Sequence, residues 1–212
     1  MESELGRDGA ERSTFAQTLG TLKQRGSNIL LVGADSNEIH ETACQHLCGT
    51  AGGTPRYRLF VTDDADALST DDRIATEILE FADSERDGSG DEGERPSLGQ
   101  LGMDVIETID EFDADADGLE QSELRVCVDV LVRLLQERDT EDVFRLLHVV
   151  TARVEQAHGM GHYHLPVSRD HDAVTLLEPM FDAIVELRST GNTHEQQWHL
   201  CDQETTTEWI EL

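Results

Sequence analysis

The stretch LLVGADSNEIHE, residues 30–41, decides the fold because an apolar strand ends here in a glycine and a helix begins shortly after it. Residues 27–32 (SNILLV) predict a short buried strand, and the apolar spacing predicts a helix from about Asn37 to Cys48. A phosphate-binding loop commonly occupies such a passage from strand to glycine to helix. The first question is therefore whether this chain keeps one.

The residues that a phosphate-binding loop requires are absent. Such a loop places a second glycine, a lysine and a serine or threonine five, six and seven residues after its first glycine. Counted from Gly33, those positions hold Glu38, Ile39 and His40, and Asp35 adds a further negative charge. We therefore expect neither ATP binding nor ATP hydrolysis, and no cofactor.

The composition is strongly acidic. The 212 residues carry a formal net charge of −29, and Lys23 is the only lysine among 16 basic residues. This composition resembles that of proteins from halophilic archaea, in which molar salt shortens the screening length to about 3 Å and weakens self-repulsion. At low salt the same charge is expected to destabilise the fold.

The acidity and the hydropathy pattern exclude several classes of function. Nucleic-acid binding requires clusters of lysine or arginine, which this chain lacks. No apolar stretch is long enough to cross a membrane, so we expect a cytoplasmic protein. The four cysteines are scattered and form no CxxC pair; they are Cys44, Cys48, Cys127 and Cys201. We interpret them mainly as small buried apolar residues, and a disulfide or a zinc site is the alternative.

Strands alternate with helices along the chain, which predicts one α/β domain. Residues 1–12 are expected to form a disordered leader, residues 13–212 the domain, and residues 84–97 a mobile acidic loop. The alternation predicts a three-layer sandwich with a mostly parallel sheet, closed by an antiparallel edge hairpin. The predicted strands are 27–32, 58–61, 125–128, 162–167, 183–187, 197–200 and 207–211. The predicted helices are 13–25, 37–48, 70–83, 98–112, 130–137, 140–157 and 171–180.

Three stretches in the second half resemble a known superfamily. They are RVCVD (125–129), GMGHYHLPV (159–167) and AVTLLEPMFDAIVELR (173–188). They resemble the C-terminal part of RecA-superfamily, KaiC-like ATPase domains, and the chain from about Phe15 onward resembles an uncharacterised haloarchaeal family of RecA-like proteins. The resemblance implies a RecA-like fold with a degenerate nucleotide site.

Within this resemblance Asp129 matches the Walker B aspartate, which holds Mg²⁺ only together with a loop hydroxyl and the nucleotide. Gly33, His40 and Asp129 therefore mark a vestigial site. Two interpretations of Asp129 stay open: an altered nucleotide site, or a strand-end residue that caps the next helix or turn.

Two further groups of residues are candidates for chemistry. Asp113, Asp115 and Asp117 begin like a calcium-binding loop, but its twelfth position holds Leu124 instead of glutamate, so a hydrated turn is the alternative. His162 and His164 share one side of a strand and could bind a metal or act as acid and base. Asp129, Asp170 or His171 are conceivable third ligands, and packing beneath a helix is the alternative.

Together these features predict a non-catalytic regulatory or scaffolding module that binds a protein partner or its own copies. The alternatives are an enzyme or a ligand-binding or metal-binding protein that uses the histidines and Asp129, and a nucleotide-binding regulator without hydrolysis. We also expect Trp198 and Trp209 to be partly buried in the closing hairpin.

Overall fold

The computed structural model of the chain describes residues 17–33, 37–49, 57–64, 75–81, 97–191, 193–203 and 205–212. The predicted leader at 1–12 lies outside these residues, as do Asp35 and all of the predicted mobile loop except Ser97. Ser97 itself caps the helix that follows, because its hydroxyl accepts a hydrogen bond from the backbone N–H of Gln100.

The strands form one mixed sheet. In chain order they are β1 (Ser27–Val32), β2 (Tyr57–Thr62), β3 (Thr76–Glu80), β4 (Leu124–Val128), β5 (Met160–Leu165), β6 (Ala183–Thr190), β7 (Thr193–Leu200), β8 (Thr205–Thr206) and β9 (Ile210–Glu211). They lie in the order β3-β2-β4-β5-β1-β6-β7-β8, and β9 also pairs with β7. The strands β1 to β6 pair in parallel, whereas β6–β7 and the later pairs are antiparallel.

Helices cover both faces of this sheet. They are α1 (17–25), α2 (Asn37–Cys48), α3 (Leu98–Asp115), α4 (Leu131–Glu137), α5 (Thr140–Gln156) and α6 (Asp172–Leu177). Buried side chains of α3, α4, α5 and α6 join one apolar cluster, and those of α1 and α2 join clusters on the opposite face. The predicted three-layer α/β sandwich is thereby confirmed, with its antiparallel closing strands. No described helix has the length and apolar character needed to span a membrane.

Strand β1 lies at the centre because both of its faces are apolar. All six of its residues are buried, and it pairs with β5 on one side and with β6 on the other. Leu30 and Val32 point towards α5, while Ile29 and Leu31 point towards α2. A strand that is buried on both faces needs such a continuous apolar run.

One predicted element is wrong. Residues 70–83 were expected to form a helix, but Thr76–Glu80 are the edge strand β3, paired in parallel with β2. The sequence TEILE is too short to show a helical or a strand period clearly, and pairing with β2 decides its conformation. The predicted helix at 171–180 is also divided, into α6 and a single 3₁₀ turn at Glu178–Met180.

The expectation for the two tryptophans holds only in part. Trp198 lies on β7 and is buried rather than partly buried, whereas Trp209 is half-buried between β8 and β9, outside a strand. The guanidinium carbon of Arg188 on β6 stands 3.8 Å from the centre of the Trp209 ring in a cation–π contact.

A buried polar network joins β1, β5 and α5. The Tyr163 hydroxyl donates to Asn28 Oδ1 at 2.9 Å, and Asn28 Nδ2 donates to the Thr151 carbonyl at 3.1 Å. Burial raises the pKa of the Tyr163 phenol, which keeps it protonated as the donor. Each polar group in the network has a partner, so its burial is compensated.

We expect Tyr163→Phe to lower the free energy of unfolding by about 1–3 kcal/mol, because Asn28 Oδ1 would lose its donor while it stays buried. Urea unfolding in molar KCl measures the change. Tyr57→Phe is the matched control, since Tyr57 packs on Phe112 outside this network and should change stability by less than about 0.5 kcal/mol. Equal losses in both variants would contradict the role assigned to the network.

Candidate functional site

Gly33, which follows β1 directly, is held by contacts within the protein. Gly33 has a φ of 134°, and a Cβ at this position would clash with the carbonyl oxygen of Leu187. Its N–H donates to the Val167 carbonyl at 2.8 Å, and its own carbonyl lies 2.9 Å from His40 Nε2. Gly33 is therefore required by close packing and by its conformation, and both of its backbone polar groups already have partners.

The two residues at the positions where a phosphate-binding loop would place its lysine and its hydroxyl are buried in the protein. The Ile39 side chain is fully buried in the apolar cluster between α2 and the sheet. His40 is buried as well, and its imidazole bridges Gly33 and His164. In these positions Ile39 and His40 contribute to the core and do not face a ligand at the sheet edge.

Helix α2 presents one polar stripe to the sheet. His40, Cys44 and Cys48 are spaced four residues apart, so they lie on one face of the helix. The helix lies over β4, β5 and β6. The stripe is thereby brought against the side chains of Cys127 on β4 and His162 on β5.

The sheet supplies the other half of the cluster. His162 and His164 are two residues apart on β5 and share its α2-facing side, as predicted. Cys127 lies opposite His162 in the parallel pairing of β4 with β5. This register places a thiol and an imidazole side by side beneath α2.

Six side chains meet in this layer, and we call them the Cys/His cluster: His40, Cys44, Cys48, Cys127, His162 and His164. Cys44 Sγ lies 3.4 Å from Cys127 Sγ and 3.4 Å from His162 Nε2. Cys48 Sγ lies 3.9 Å from Cys44 Sγ and 3.7 Å from His162 Nε2. All four cysteines of the chain are free thiols, and Cys201 lies elsewhere.

Four members of the cluster could hold a metal ion together. Cys44, Cys127, His162 and His164 each offer a ligand atom, and these four atoms lie within 4.8 Å of one another. Three of the four residues are buried and Cys44 is half-buried. Cysteine and histidine are the ligands that structural zinc sites use.

The hydrogen bonds of His40 and His164 determine their tautomers. Because the Gly33 carbonyl can only accept, His40 must donate from Nε2, which leaves its Nδ1 as an acceptor. His164 must then donate from its own Nδ1 across the 3.2 Å to His40 Nδ1. The remaining lone pair of His164 lies on Nε2, a buried atom without a hydrogen-bond partner in the described structure.

Burial and hydrogen bonding favour the uncharged forms of five of the six side chains, namely His40, His164, Cys44, Cys48 and Cys127. Desolvation lowers the pKa of His40 and, reinforced by the neighbouring His162 and His40, lowers that of His164 well below its usual range. The hydrogen bond with Cys127 raises the pKa of Cys44, and the hydrogen bond with Cys44 raises that of Cys48. At Cys127 the hydrogen bond with Cys44 lowers the pKa, but burial and nearby negative charge raise it overall.

Asp129 lies outside the Cys/His cluster, directly after the end of β4. Its side chain is exposed, and its N–H donates to the Val61 carbonyl at 2.9 Å. Partial desolvation of the carboxyl, together with the charges of Asp63 and Glu41, raises its pKa to about 6 against the opposing effect of His162. The interpretation of Asp129 as the cap of the next helix is wrong, because the N-cap of α4 is Val130 and no side chain caps that helix.

The other candidate residues lie away from the cluster. Asp113, Asp115 and Asp117 are exposed at the end of α3, where Asp113 Oδ1 accepts a hydrogen bond from the Leu119 N–H at 2.9 Å. Among the described residues they do not converge as a group of ligands. Asp113 thus accepts a hydrogen bond within the turn after α3.

The third ligands conceived for the histidine pair have other partners. His171 is the N-cap of α6, where its Nδ1 accepts from the Ala173 N–H, and Asp170 accepts from the Ser168 hydroxyl. The ligands that the structure places beside His162 are the thiols of Cys44 and Cys127. The spacing of His40, Cys44 and Cys48 was the available signal in the sequence, and it points to one helical face.

The comparisons with known proteins identify a family whose function is unknown. Residues 26–187 match a family described as a family of unknown function, DUF7504. Because this match covers more than half of the chain, the protein belongs to that family. No curated protein matches the chain. The matched region contains every member of the Cys/His cluster.

We expect Asp129→Asn to stabilise the protein at pH 7.5 and to have no effect near pH 4. The pKa of about 6 in the folded state lies above the ordinary value of about 3.9. The folded state therefore holds this proton more tightly, and stability is lost as the pH rises from about 4 to about 6. After discounting for solvent screening at this exposed position, the gain at pH 7.5 is about 1 kcal/mol.

Thermal unfolding across this pH range measures the effect of Asp129→Asn. Asp115→Asn is the control, because it removes one exposed carboxylate at the end of α3. A gain that is equal in both variants, or that does not change with pH, would contradict the environment described for Asp129.

Proposed function

Starting from a family whose function is unknown, we propose that this protein is a non-hydrolysing regulatory or scaffolding module. In this proposal it is a cytoplasmic protein of a salt-adapted archaeon. It keeps a RecA-like architecture and acts by contacting a protein partner or further copies of itself. Neither ATP nor nucleic acid is part of its activity.

The observation that carries this proposal is the burial of Ile39 and His40. These residues stand where a phosphate-binding loop would have its lysine and its serine or threonine. Ile39 is 0% exposed and His40 is 6% exposed, and the Gly33 carbonyl is paired with His40. A nucleotide site needs a cation for the phosphates and a hydroxyl for Mg²⁺ at these positions. The side chains present there cannot perform either task, which supports the loss of hydrolysis.

The burial of the histidine pair speaks against the enzymatic alternative. His162 and His164 are 1% and 3% exposed and lie beneath α2, which separates them from solvent. A general acid or base must come within hydrogen-bonding distance of its substrate. The arrangement therefore favours a role for these side chains inside the protein, with any partner bound at the surface.

A small apolar surface lies on the opposite side of the sheet, on α3 and α5. Met103 and Val149 are 50% and 39% exposed, and Ile106 lies half-buried one turn after Met103. A Cβ on Gly102 would touch both Val149 and Leu146, so the two helices approach each other closely here. In molar salt the surrounding acidic charge is screened, which leaves this surface able to form an apolar contact.

We expect the unfolding temperature in molar KCl to be the same with ATP and Mg²⁺ as with Mg²⁺ alone. A ligand present at about 100 times its Kd would add roughly 2.7 kcal/mol of stability, which is readily measured. A competent P-loop ATPase in the same buffer serves as the positive control. A nucleotide-specific rise of several degrees would contradict the proposal and favour the nucleotide-binding alternative.

We also expect the α3–α5 surface to mediate self-association. The double variant Met103→Glu/Val149→Glu should lower the sedimentation-derived mass of the assembly in molar KCl, because it introduces charge into an apolar contact. Leu176→Glu is the matched control, since Leu176 is 48% exposed on α6. A wild-type protein that stays monomeric at every concentration would contradict self-association.

A further inference from the structure

We propose that Cys44, Cys127, His162 and His164 bind one Zn²⁺ ion between α2 and the sheet. The ion would join the helix that follows β1 to strands β4 and β5 at the middle of the sheet. This inference does not depend on the proposed function, because a module that contacts partners can exist with or without a buried metal.

The distances fit a tetrahedral ion. With Zn–S bonds of about 2.3 Å and Zn–N bonds of about 2.0–2.1 Å, the ligand atoms of a tetrahedral site lie about 3.3–3.8 Å apart. Cys44 Sγ is 3.4 Å from Cys127 Sγ and 3.4 Å from His162 Nε2. All four ligand atoms already lie within 4.8 Å of one another, so only small side-chain movements are needed to close the site.

His164 supplies an independent sign of a ligand. Its side chain is 3% exposed, and its Nε2 has no hydrogen-bond partner in the described structure. The chain of hydrogen bonds from Gly33 through His40 leaves the lone pair of His164 on this same atom. A buried lone pair without a donor is costly in an apolar layer, and a metal ion would satisfy it.

His40 would act on the metal through His164. Metal-bound histidines usually donate their other ring N–H to a neighbouring group, which fixes the tautomer and the ring orientation. His164 Nδ1 makes this contact with His40 Nδ1 at 3.2 Å. His40 is therefore a positioning residue, and Cys48, 3.9 Å from Cys44 Sγ, is a nearby thiol that can donate a hydrogen bond to the bound thiolate.

The ligand chemistry favours zinc over Mg²⁺ and Ca²⁺. Two thiols and two neutral imidazoles are poor ligands for Mg²⁺ and Ca²⁺, which require oxygen. Binding forms two Zn–S and two Zn–N bonds and releases two protons from the thiols to solvent. The resulting complex carries no net charge, because two thiolates balance the ion, and it can therefore be buried in the core. Four protein ligands leave no open position for a substrate, which is typical of structural zinc.

The test uses the full chain, purified without a histidine tag in molar KCl. We expect elemental analysis to find about one zinc per chain, and Co²⁺ added to the metal-free protein to give the visible bands of a tetrahedral site with a thiolate charge-transfer band. Zn²⁺ at about 100 times its Kd should raise the unfolding temperature by roughly 5–10 °C. A wild-type protein without bound metal, without these bands and without this rise would overturn the proposal.

Variants separate the ligands from their neighbours. Cys44→Ser should abolish or weaken the charge-transfer band, and His40→Gln should keep the band but weaken Zn²⁺ binding about 10–100-fold, as loss of a supporting residue does. Cys201→Ser is the matched control, since this half-buried thiol lies outside the cluster. If Cys201→Ser alters the spectrum as much as Cys44→Ser does, the assignment is wrong. Should Cys44→Ser fail to fold, the wild-type Co²⁺ titration decides alone.

Discussion

The hydrogen bond between His40 and the Gly33 carbonyl is the contact on which the rest of the α2 layer depends. It joins the residue after β1 to the first turn of α2 and, together with the buried Ile39 and Ala43, fixes which face of the helix lies on the sheet. Because side chains four residues apart share a helix face, this orientation also directs Cys44 and Cys48 towards β4 and β5. Gly33 allows its carbonyl to be placed here by its positive φ and by its close approach to β6.

The two faces of the sheet differ in how well their buried polar groups are paired by hydrogen bonds. On the α3–α5 face the buried network of Tyr163, Asn28 and Thr151 is paired through described hydrogen bonds. On the α2 face three thiols and three imidazoles occupy a layer that apolar side chains would fill at lower desolvation cost. Thiols are weak hydrogen-bonding groups, and His164 Nε2 is left without a partner. A ligand that binds these thiols and imidazoles in the α2 layer would therefore stabilise the fold.

Periodicity in the sequence was sufficient to predict most of the fold. Strand β1 and helix α2 have the predicted bounds, because a continuous apolar run and a 3.6-residue repeat are strong local signals. β3 could not be predicted, since its five residues take their conformation from β2. The sequence predicts the helix part and the strand part of the Cys/His cluster separately, but not that the two parts meet. The spacing of Cys44 and Cys48 on α2 and of His162 and His164 on β5 is visible in the sequence. The register that places Cys127 beside His162 arises only when β4 pairs with β5, across a segment of about thirty residues.

The position of His40 connects the missing phosphate-binding loop with the Cys/His cluster. In the proposed RecA-like ancestry this position belongs to a hydroxyl that would hold Mg²⁺ at the edge of the sheet, together with the aspartate matched by Asp129. An imidazole is longer than a hydroxymethyl group, and here it reaches inwards to His164. Asp129 is exposed at the end of β4, and partial desolvation together with the charges of Asp63 and Glu41 raises its pKa. If a zinc ion occupies the Cys/His cluster as proposed, its sulfur and nitrogen ligands lie beneath α2, deeper than the exposed carboxylate of Asp129. Such an ion would tie α2 to the sheet without a nucleotide.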